Sequence, residues 1–303
     1  MYTMAMTIEL GSLITAMATP FTQDNKLDTD TAVELGEYLL ENKTDTLLIS
    51  GTTGESPTLT HDEDFALLEA MIKGMRGRVP IMAGTGSNCT QTAINSSQKA
   101  EKMGVDALLS VVPYYNKPNQ EGIFLHFQAI AASVTVPILL YNIPGRTGVN
   151  MLPETVARLA EIPNIVGIKE AAGDIDQLEK MVQQTPGDFS VYVGDDAMTL
   201  DAIKVGAKGV VSVASHVVGK QLKELIDLAK AGDIASATER HNALSEMFNI
   251  LFVDSNPIPV KYALRLLGFA MGRPRLPLTE LSDENKAKLE DILDRCLGVT
   301  EAE

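Results

Sequence analysis

Short apolar runs recur along the chain, and each is followed by a stretch whose apolar residues have helical spacing. Several runs, such as Thr-Leu-Leu-Ile-Ser and Pro-Ile-Leu-Leu-Tyr, are nearly continuous, which is typical of strands covered on both faces. The eight predicted strands are residues 13–17, 46–50, 79–84, 107–112, 137–142, 165–169, 190–194 and 209–213. The predicted helices between them are residues 31–40, 65–75, 92–103, 123–133, 153–160, 178–184 and 198–205.

The spacing of these elements predicts the fold class. The strands start about 20 to 33 residues apart, which is the length of one strand plus one crossover helix. Eight such units within about 230 residues predict an α/β fold, a (β/α)8 TIM barrel. A doubly wound open sheet is the alternative, but it seldom holds eight parallel strands in so short a span.

Beyond Lys220 the pattern predicts helices only. These are residues 222–231, 234–252, 259–267 and 283–296, with Asp233 and Ser282 as N-caps. The first completes the barrel, so we expect a barrel domain of residues 1–232 and a C-terminal helical extension of residues 233–303. No linker separates the two, and we therefore expect the extension to pack on the barrel.

Lys169 ends the buried strand Ile-Val-Gly-Ile-Lys. A lysine amine has an ordinary pKa of about 10.4, so it attacks a carbonyl at neutral pH only in a desolvated or cation-lined site. The end of a buried strand is such a site, which makes Lys169 a candidate nucleophile. The alternative is a structural lysine whose head reaches water or Glu170.

Chemistry in such a barrel lies in the loops that follow the strands. Residues 51–56, Gly-Thr-Thr-Gly-Glu-Ser, offer hydroxyls and free amides for a carboxylate. A phosphate cradle is the alternative, but the Walker lysine is missing. Residues 113–118, Pro-Tyr-Tyr-Asn-Lys-Pro, carry two phenols in a turn that could also serve packing alone. In Tyr-Asn-Ile-Pro-Gly-Arg-Thr-Gly, Tyr141 and Arg146 place a phenol and a guanidinium five residues apart.

Composition narrows the function further. A net charge of −15 argues against nucleic acid and anionic membranes as partners. No run of 18 apolar residues and no basic, apolar leader is found, so we expect no membrane span and no secretory signal. Cys89 and Cys296 lack metal spacing and predict free thiols in a reducing, cytoplasmic setting. The four histidines show no ligand spacing, so no metal is expected.

Four of these segments together resemble the dihydrodipicolinate synthase family. They are Gly-Thr-Thr-Gly-Glu-Ser, Pro-Tyr-Tyr-Asn-Lys-Pro, Tyr-Asn-Ile-Pro-Gly-Arg-Thr-Gly and Val-Gly-Ile-Lys-Glu. The resemblance runs from about Gly11 past Lys261. It implies a lyase, 4-hydroxy-tetrahydrodipicolinate synthase, that condenses pyruvate with L-aspartate 4-semialdehyde without a cofactor. That reaction is the first committed step of diaminopimelate and lysine biosynthesis.

The resemblance also implies catalytic roles. Lys169 would form a Schiff base with pyruvate, and Tyr141 would pass protons to and from the imine and enamine. Thr52 would link that phenol to Tyr115, which in the family reaches in from a neighbouring subunit. The minimum working unit would then be a dimer, and the family commonly forms homotetramers, as dimers of dimers.

Substrate-binding roles follow from the same resemblance. Thr53 and the backbone near Val211 would hold pyruvate, and Gly194 would lend its backbone to the site. Arg146 would clamp the carboxylate of L-aspartate 4-semialdehyde, because a guanidinium fork matches a carboxylate.

Many members of the family are inhibited by lysine at a cleft between subunits. The residues of this chain at the matching positions are Ser56, His61, Asn88 and Tyr114. Asp64 and Thr92 depart from the pattern of lysine-sensitive members, which often carry histidine and glutamate there. Inhibition by lysine is therefore left open.

Two other functions remain as alternatives. One is a different pyruvate-dependent aldolase of the superfamily that includes N-acetylneuraminate lyase, acting on another aldehyde. The Thr-Thr pair and Arg146 favour the synthase branch over it. The other is a non-catalytic barrel that binds a keto acid, which would have no use for a proton relay.

Overall fold

Eight strands form a closed barrel in which the order of the strands follows the order of the chain. The computed structural model describes residues 8–297. The strands are β1 (Leu13–Ala16), β2 (Thr46–Ile49), β3 (Ile81–Gly84), β4 (Ala107–Val111), β5 (Ile138–Asn142), β6 (Ile165–Glu170), β7 (Ser190–Val193) and β8 (Gly209–Ser212). All eight predicted strands are confirmed, as is the (β/α)8 barrel.

Twelve α-helices occur within residues 8–297. They are α1 (Thr29–Glu41), α2 (His61–Met75), α3 (Thr90–Met103), α4 (Gln120–Ala131), α5 (Pro144–Thr147), α6 (Pro153–Leu159), α7 (Ile175–Gln184), α8 (Thr199–Lys204), α9 (Ser215–Lys230), α10 (Ile234–Ile250), α11 (Ile258–Leu266) and α12 (Asp283–Leu297). The sequence predicted all of them except α5, a single turn that is too short to show helical periodicity.

Local chemistry sets where several helices begin. Asp233 caps α10 by accepting a hydrogen bond from the backbone N–H of Ser236, as predicted. The hydroxyl of Ser282, the other predicted cap, accepts from the N–H of Asn285 at 3.3 Å. Thr60 forms a capping box with Glu63 at the start of α2.

The described residues form two compact units. The first unit, residues 8–12 and 80–211, contains β3 to β7 and most of β8. Its strands are parallel, and their register places Tyr141 of β5 beside Lys169 of β6, and Lys169 beside Tyr192 of β7. The strands are buried on both faces, as their apolar runs predicted.

The second unit is formed by residues 13–79 and 212–297. It contains the parallel pair β1 and β2 and the helices α9 to α12. Helix α10 packs on α9 and α12, and α11 packs on α9 and α12. The boundary at residue 232 between barrel and extension stays a prediction. None of the helices in residues 8–297 is long and apolar enough to cross a membrane.

Candidate active site

Lys169 lies near the end of β6 with a side chain that is almost completely buried, at 6% exposure. Its Nζ is 4.5 Å from the centroid of the Tyr141 ring, which is also buried. Among the ion pairs of residues 8–297, none includes this amine. A desolvated amine beside a phenol is the arrangement that a lysine nucleophile with a proton carrier requires.

Gly194 follows β7 and lies against the stem of Lys169. A Cβ at this position would be 2.8 Å from Lys169 Cε and 2.7 Å from the Cβ of Ala171. Its N–H donates to the carbonyl oxygen of Glu170 at 2.7 Å, which continues the pairing of β6 with β7. The position therefore needs glycine because the lysine side chain fills the space where a Cβ would be.

Glu170 points away from Lys169, because successive residues of a strand face opposite sides. Its carboxylate accepts hydrogen bonds from Asn142 Nδ2 at 3.0 Å and from the N–H of Ala172 at 2.7 Å. Burial raises the pKa of Glu170 to about 7, partly offset by these hydrogen bonds. The alternative in which the head of Lys169 reaches Glu170 is therefore wrong.

Arg146 lies on α5, the single helical turn after β5, and its side chain is exposed. In the described part of the chain its guanidinium has no carboxylate partner among the ion pairs. The turn ends at Gly148, which has a φ of +75°. A free guanidinium on a loop that follows a barrel strand can receive a carboxylate from solution.

The two phenols after β4 differ in exposure. Tyr115 is 90% exposed and has a φ of +71°, while Tyr114 is 40% exposed. Next to them, Asn116 Nδ2 donates to the carbonyl oxygen of Asn88 at 2.8 Å, which ties the turn to the loop before α3. Val211 is fully buried on β8 in the same unit.

Thr52 and Thr53 belong to the second unit, in the turn that follows β2. The Thr53 hydroxyl is buried and accepts a hydrogen bond from Asn256 Nδ2 at 2.9 Å. Thr52 is half-buried. No local sequence signal indicates a role for Asn256, because its partner lies 203 residues away.

A buried ion pair supports the same turn. Glu55, which has a φ of +54°, accepts from Lys261 Nζ at 2.7 Å, and both side chains are fully buried. The other carboxylate oxygen of Glu55 accepts from the backbone N–H of Arg275 at 2.9 Å. No local sequence pattern indicates this pair either.

The four residues of the predicted lysine cleft are divided between the units. In the second unit, Ser56 lies in a 3-10 turn and His61 is the exposed first residue of α2. Asn88 and Tyr114 lie in the first unit. Nearby on α2, burial raises the pKa of Asp64 to about 6, although a hydrogen bond with Ser50 and the charge of His61 lower it. The cleft itself stays a prediction.

Residues 8–297 contain no group of three or more His, Cys, Asp or Glu side chains that could hold a metal ion. Both cysteines are free thiols, with Cys89 exposed.

Comparison with known proteins gives consistent matches over nearly the whole chain. The model of the dihydrodipicolinate synthetase family matches residues 9–296. The chain is 52% identical over 287 residues to the 4-hydroxy-tetrahydrodipicolinate synthase of Thermosynechococcus vestitus, covering 94% of this chain and 97% of that one. Its fold is similar to that of the lysine-bound DHDPS of Cyanidioschyzon merolae, with a TM-score of 0.93, 43% identity and coverage of 95% and 98%. It is also similar to the chloride-inhibited dihydrodipicolinate synthase of Acinetobacter baumannii in complex with pyruvate, with a TM-score of 0.92, 40% identity and coverage of 95% and 99%.

Proposed function

The chain belongs to the dihydrodipicolinate synthetase family, and we propose that it is a 4-hydroxy-tetrahydrodipicolinate synthase that acts through a Schiff base on Lys169. As a lyase of the class I aldolase type, it condenses pyruvate with L-aspartate 4-semialdehyde. The observation that carries the proposal is the buried Lys169 amine, 4.5 Å from the centroid of the Tyr141 ring. The pyruvate complex of the Acinetobacter relative supports the same keto acid for this chain.

Imine formation begins when the neutral amine of Lys169 attacks the keto carbon of pyruvate. The carbinolamine then loses its oxygen as water, and Tyr141, whose ring lies beside the amine, supplies and removes the protons in this proposal. The protonated imine draws electrons from the methyl group, which loses a proton and leaves an enamine. The enamine carbon forms the new bond to the aldehyde carbon, and the aldehyde oxygen takes up a proton. The amino group of the aldehyde substrate then attacks the imine carbon, which closes the product ring, and the bond to Lys169 breaks to release the free amine.

Arg146 binds the carboxylate of L-aspartate 4-semialdehyde in this proposal. Its guanidinium is exposed and has no carboxylate partner within residues 8–297, so a substrate carboxylate meets no competing anion. Holding the aldehyde there converts bond formation between two substrates into a step with the character of an intramolecular reaction. Gly194 and the backbone near Val211 complete the pyruvate side.

Thr52, Thr53 and Tyr115 complete the proposed machinery. Thr53 holds the pyruvate carboxylate with a hydroxyl whose oxygen already accepts from Asn256, which leaves its proton available for donation. Thr52 relays protons between Tyr141 and Tyr115. We assign Tyr115 to the site of a neighbouring subunit, in a homotetramer built as a dimer of dimers, and its 90% exposure supports this.

Two further features belong to the proposal. The enzyme works in the cytoplasm, where its two free cysteines stay reduced. Ser56, His61, Asn88 and Tyr114 are the candidate residues for lysine binding, and the existence of a lysine-bound relative supports testing them. A titration of the initial rate with lysine measures whether this site inhibits.

Reductive trapping tests the proposal. Borohydride with pyruvate is expected to add the mass of a reduced pyruvate imine, and peptide mapping is expected to place it on Lys169. The initial rate with pyruvate and L-aspartate 4-semialdehyde is measured in parallel. Trapping without condensation would indicate another pyruvate-dependent aldolase, and labelling at another lysine, or none, would overturn the proposed mechanism.

A further inference from the structure

Two pairs of side chains lie back to back where β5 and β6 end. Tyr141 stands beside Lys169, and one residue further along Asn142 stands beside Glu170. Because side chains alternate along a strand, the second pair faces the side opposite to the reacting amine. Asn142 is fully buried and Glu170 is 2% exposed. The proposed mechanism gives neither of them a role.

The amide of Asn142 closes the loop that carries Arg146. Its Oδ1 accepts from the N–H of Met151 at 2.9 Å, and its Nδ2 donates to Asn150 Oδ1 at 2.7 Å. Residues 143–150, which we call the Arg146 loop, therefore begin and end at one side chain. The position of the guanidinium depends on how that amide is held.

Glu170 holds the amide in the orientation that closes the loop. Asn142 Nδ2 donates to both of its oxygens, at 3.0 and 3.3 Å, while the N–H of Ala172 fixes the carboxylate at 2.7 Å. A flipped amide would set its oxygen against the carboxylate and its NH2 against the N–H of Met151. In its ionised form, Glu170 behind the amide allows only the orientation that closes the loop.

The far end of the loop has its own anchors. Asn150 Nδ2 donates to Gln177 Oε1 at 2.7 Å, and Gln120 Nε2 donates to the carbonyl oxygen of Asn150 at 2.8 Å. Gln177 also hydrogen-bonds with Glu170, whereas the Gln120 contact is independent of Glu170 and keeps the loop attached when the link to Glu170 is cut. Loss of Glu170 is therefore expected to shift the loop while the strand and Lys169 stay in place.

We propose that Glu170 is a positioning residue that acts through Asn142 to hold the Arg146 loop where the guanidinium meets the carboxylate of the second substrate. The role rests on the proposed function, since it concerns the carboxyl aldehyde and not pyruvate. Glu170 touches neither substrate. Its contribution therefore appears in the use of the aldehyde and leaves imine formation on Lys169 unchanged.

Glu170→Gln tests this with no change in volume. The new side-chain amide must turn its NH2 group either towards Asn142 Nδ2 or towards the N–H of Ala172. In both orientations two donors face each other, so one hydrogen bond is lost. The KM for the aldehyde is expected to rise about tenfold, while the KM for pyruvate and the yield of borohydride trapping stay within about twofold. The matched control is Glu154→Gln, the same chemical change at an exposed position of α6, which is expected to leave both constants unchanged.

A swapped pair provides the rescue. In Asn142→Asp/Glu170→Gln, the carboxylate at position 142 accepts from the new amide and from the N–H of Met151. An inverted Asn150 amide supplies the remaining donor, and the Gln177 amide inverts with it to keep both of its hydrogen bonds to Asn150. The swapped pair is expected to reverse most of the rise in the KM for the aldehyde that Glu170→Gln causes. A KM for the aldehyde that is higher in the swapped pair than in Glu170→Gln would overturn the positioning role.

Epistasis with Arg146 separates positioning from general damage. In an Arg146→Ala background, Glu170→Gln is expected to add less than about twofold to the aldehyde defect, because the group it positions is gone. The positioning role would be overturned if the aldehyde defects of the two substitutions multiplied in the double variant. It would also be overturned if Glu170→Gln impaired the use of pyruvate and of the aldehyde equally. If Glu170→Gln does not fold, Asn150→Ala removes the other side-chain acceptor of Asn142 Nδ2, together with the contact to Gln177, at a half-buried position, and is judged by the same measurements. Wild-type protein that traps no pyruvate would overturn the proposed function and this role together, whereas wild-type trapping with unselective losses would overturn this role alone.

Discussion

Gly194 and Lys169 are packed so closely that one methyl group at position 194 would collide with the stem of the lysine, 2.8 Å from its Cε. The collision cannot be relieved on the other side, where Ala171 Cβ would be 2.7 Å away. Lys169 belongs to β6 and Gly194 directly follows β7, the neighbouring strand, so the end of β7 limits the space available to the lysine side chain.

Gly194→Ala is expected to abolish most imine formation while the protein still folds. The added methyl displaces the lysine stem, and such overpacking costs about 1–3 kcal/mol of stability. Borohydride trapping with pyruvate is expected to fall at least about tenfold. Gly187→Ala is the control, because a Cβ there meets nothing within 4 Å, and it is expected to trap pyruvate like the wild type.

Arg146→Ala is expected to raise the KM for L-aspartate 4-semialdehyde by roughly tenfold to a hundredfold, the range for losing hydrogen bonds to a charged group. Pyruvate trapping on Lys169 should persist, because the guanidinium binds the second substrate. Arg146→Lys is expected to recover only part of the loss, since an ammonium lacks the planar fork. A parallel loss of pyruvate trapping in Arg146→Ala would show that the assigned role is wrong.

The buried pair Glu55 and Lys261 is expected to be strongly coupled. Lys261→Met leaves the carboxylate buried without its partner and is expected to lower the free energy of unfolding by about 3–5 kcal/mol. The double variant Glu55→Gln/Lys261→Met should lose less than the sum of the single variants. Urea denaturation at one protein concentration measures this. Breaking the exposed pair Arg158 and Glu121 is the control, with a loss under about 1 kcal/mol.

Ionisation of the buried Glu170 is expected to lower the free energy of unfolding as pH rises. Burial raises its pKa in the folded protein to about 7 from an ordinary 4.5, so the folded state holds the proton more tightly than the unfolded state. This contribution is fully present below pH of about 4.5 and is lost by about pH 7, an upper limit of about 3 kcal/mol. Glu170→Gln should flatten the change in unfolding free energy over that interval, and an unchanged slope would contradict the assignment.

Mixing two inactive variants tests whether Tyr115 acts in a neighbouring subunit. Lys169→Ala supplies an intact Tyr115, and Tyr115→Phe supplies an intact Lys169. Random reassembly into dimers is expected to restore about a quarter of the wild-type rate, because half of the dimers are mixed and each has one complete site. No recovery after confirmed subunit exchange would show that Tyr115 serves its own subunit.

The sequence by itself determined the barrel and the place of its chemistry. Runs of apolar residues and helical spacing are local properties, so all eight strands and nearly every helix could be predicted from neighbouring residues. The same locality put Lys169 at the end of a buried strand. Only α5 was missed, because its four residues form a single turn and periodicity shows only over several turns.

Only the tertiary structure decided which side chains meet. Asn256 contacts Thr53 across 203 residues of sequence, and Lys261 contacts Glu55 across 206. No local sequence pattern can predict contacts between residues so far apart in the chain. The local pattern predicts Gly194 only as the end of a strand, and its close contact with the stem of Lys169 is seen only in the structure. Glu170 reads as a neighbour of Lys169 until strand alternation turns it towards Asn142. Such contacts arise when segments that are distant in the sequence pack together. The hydrophobic pattern predicts that these segments are buried, but it does not specify which side chains touch.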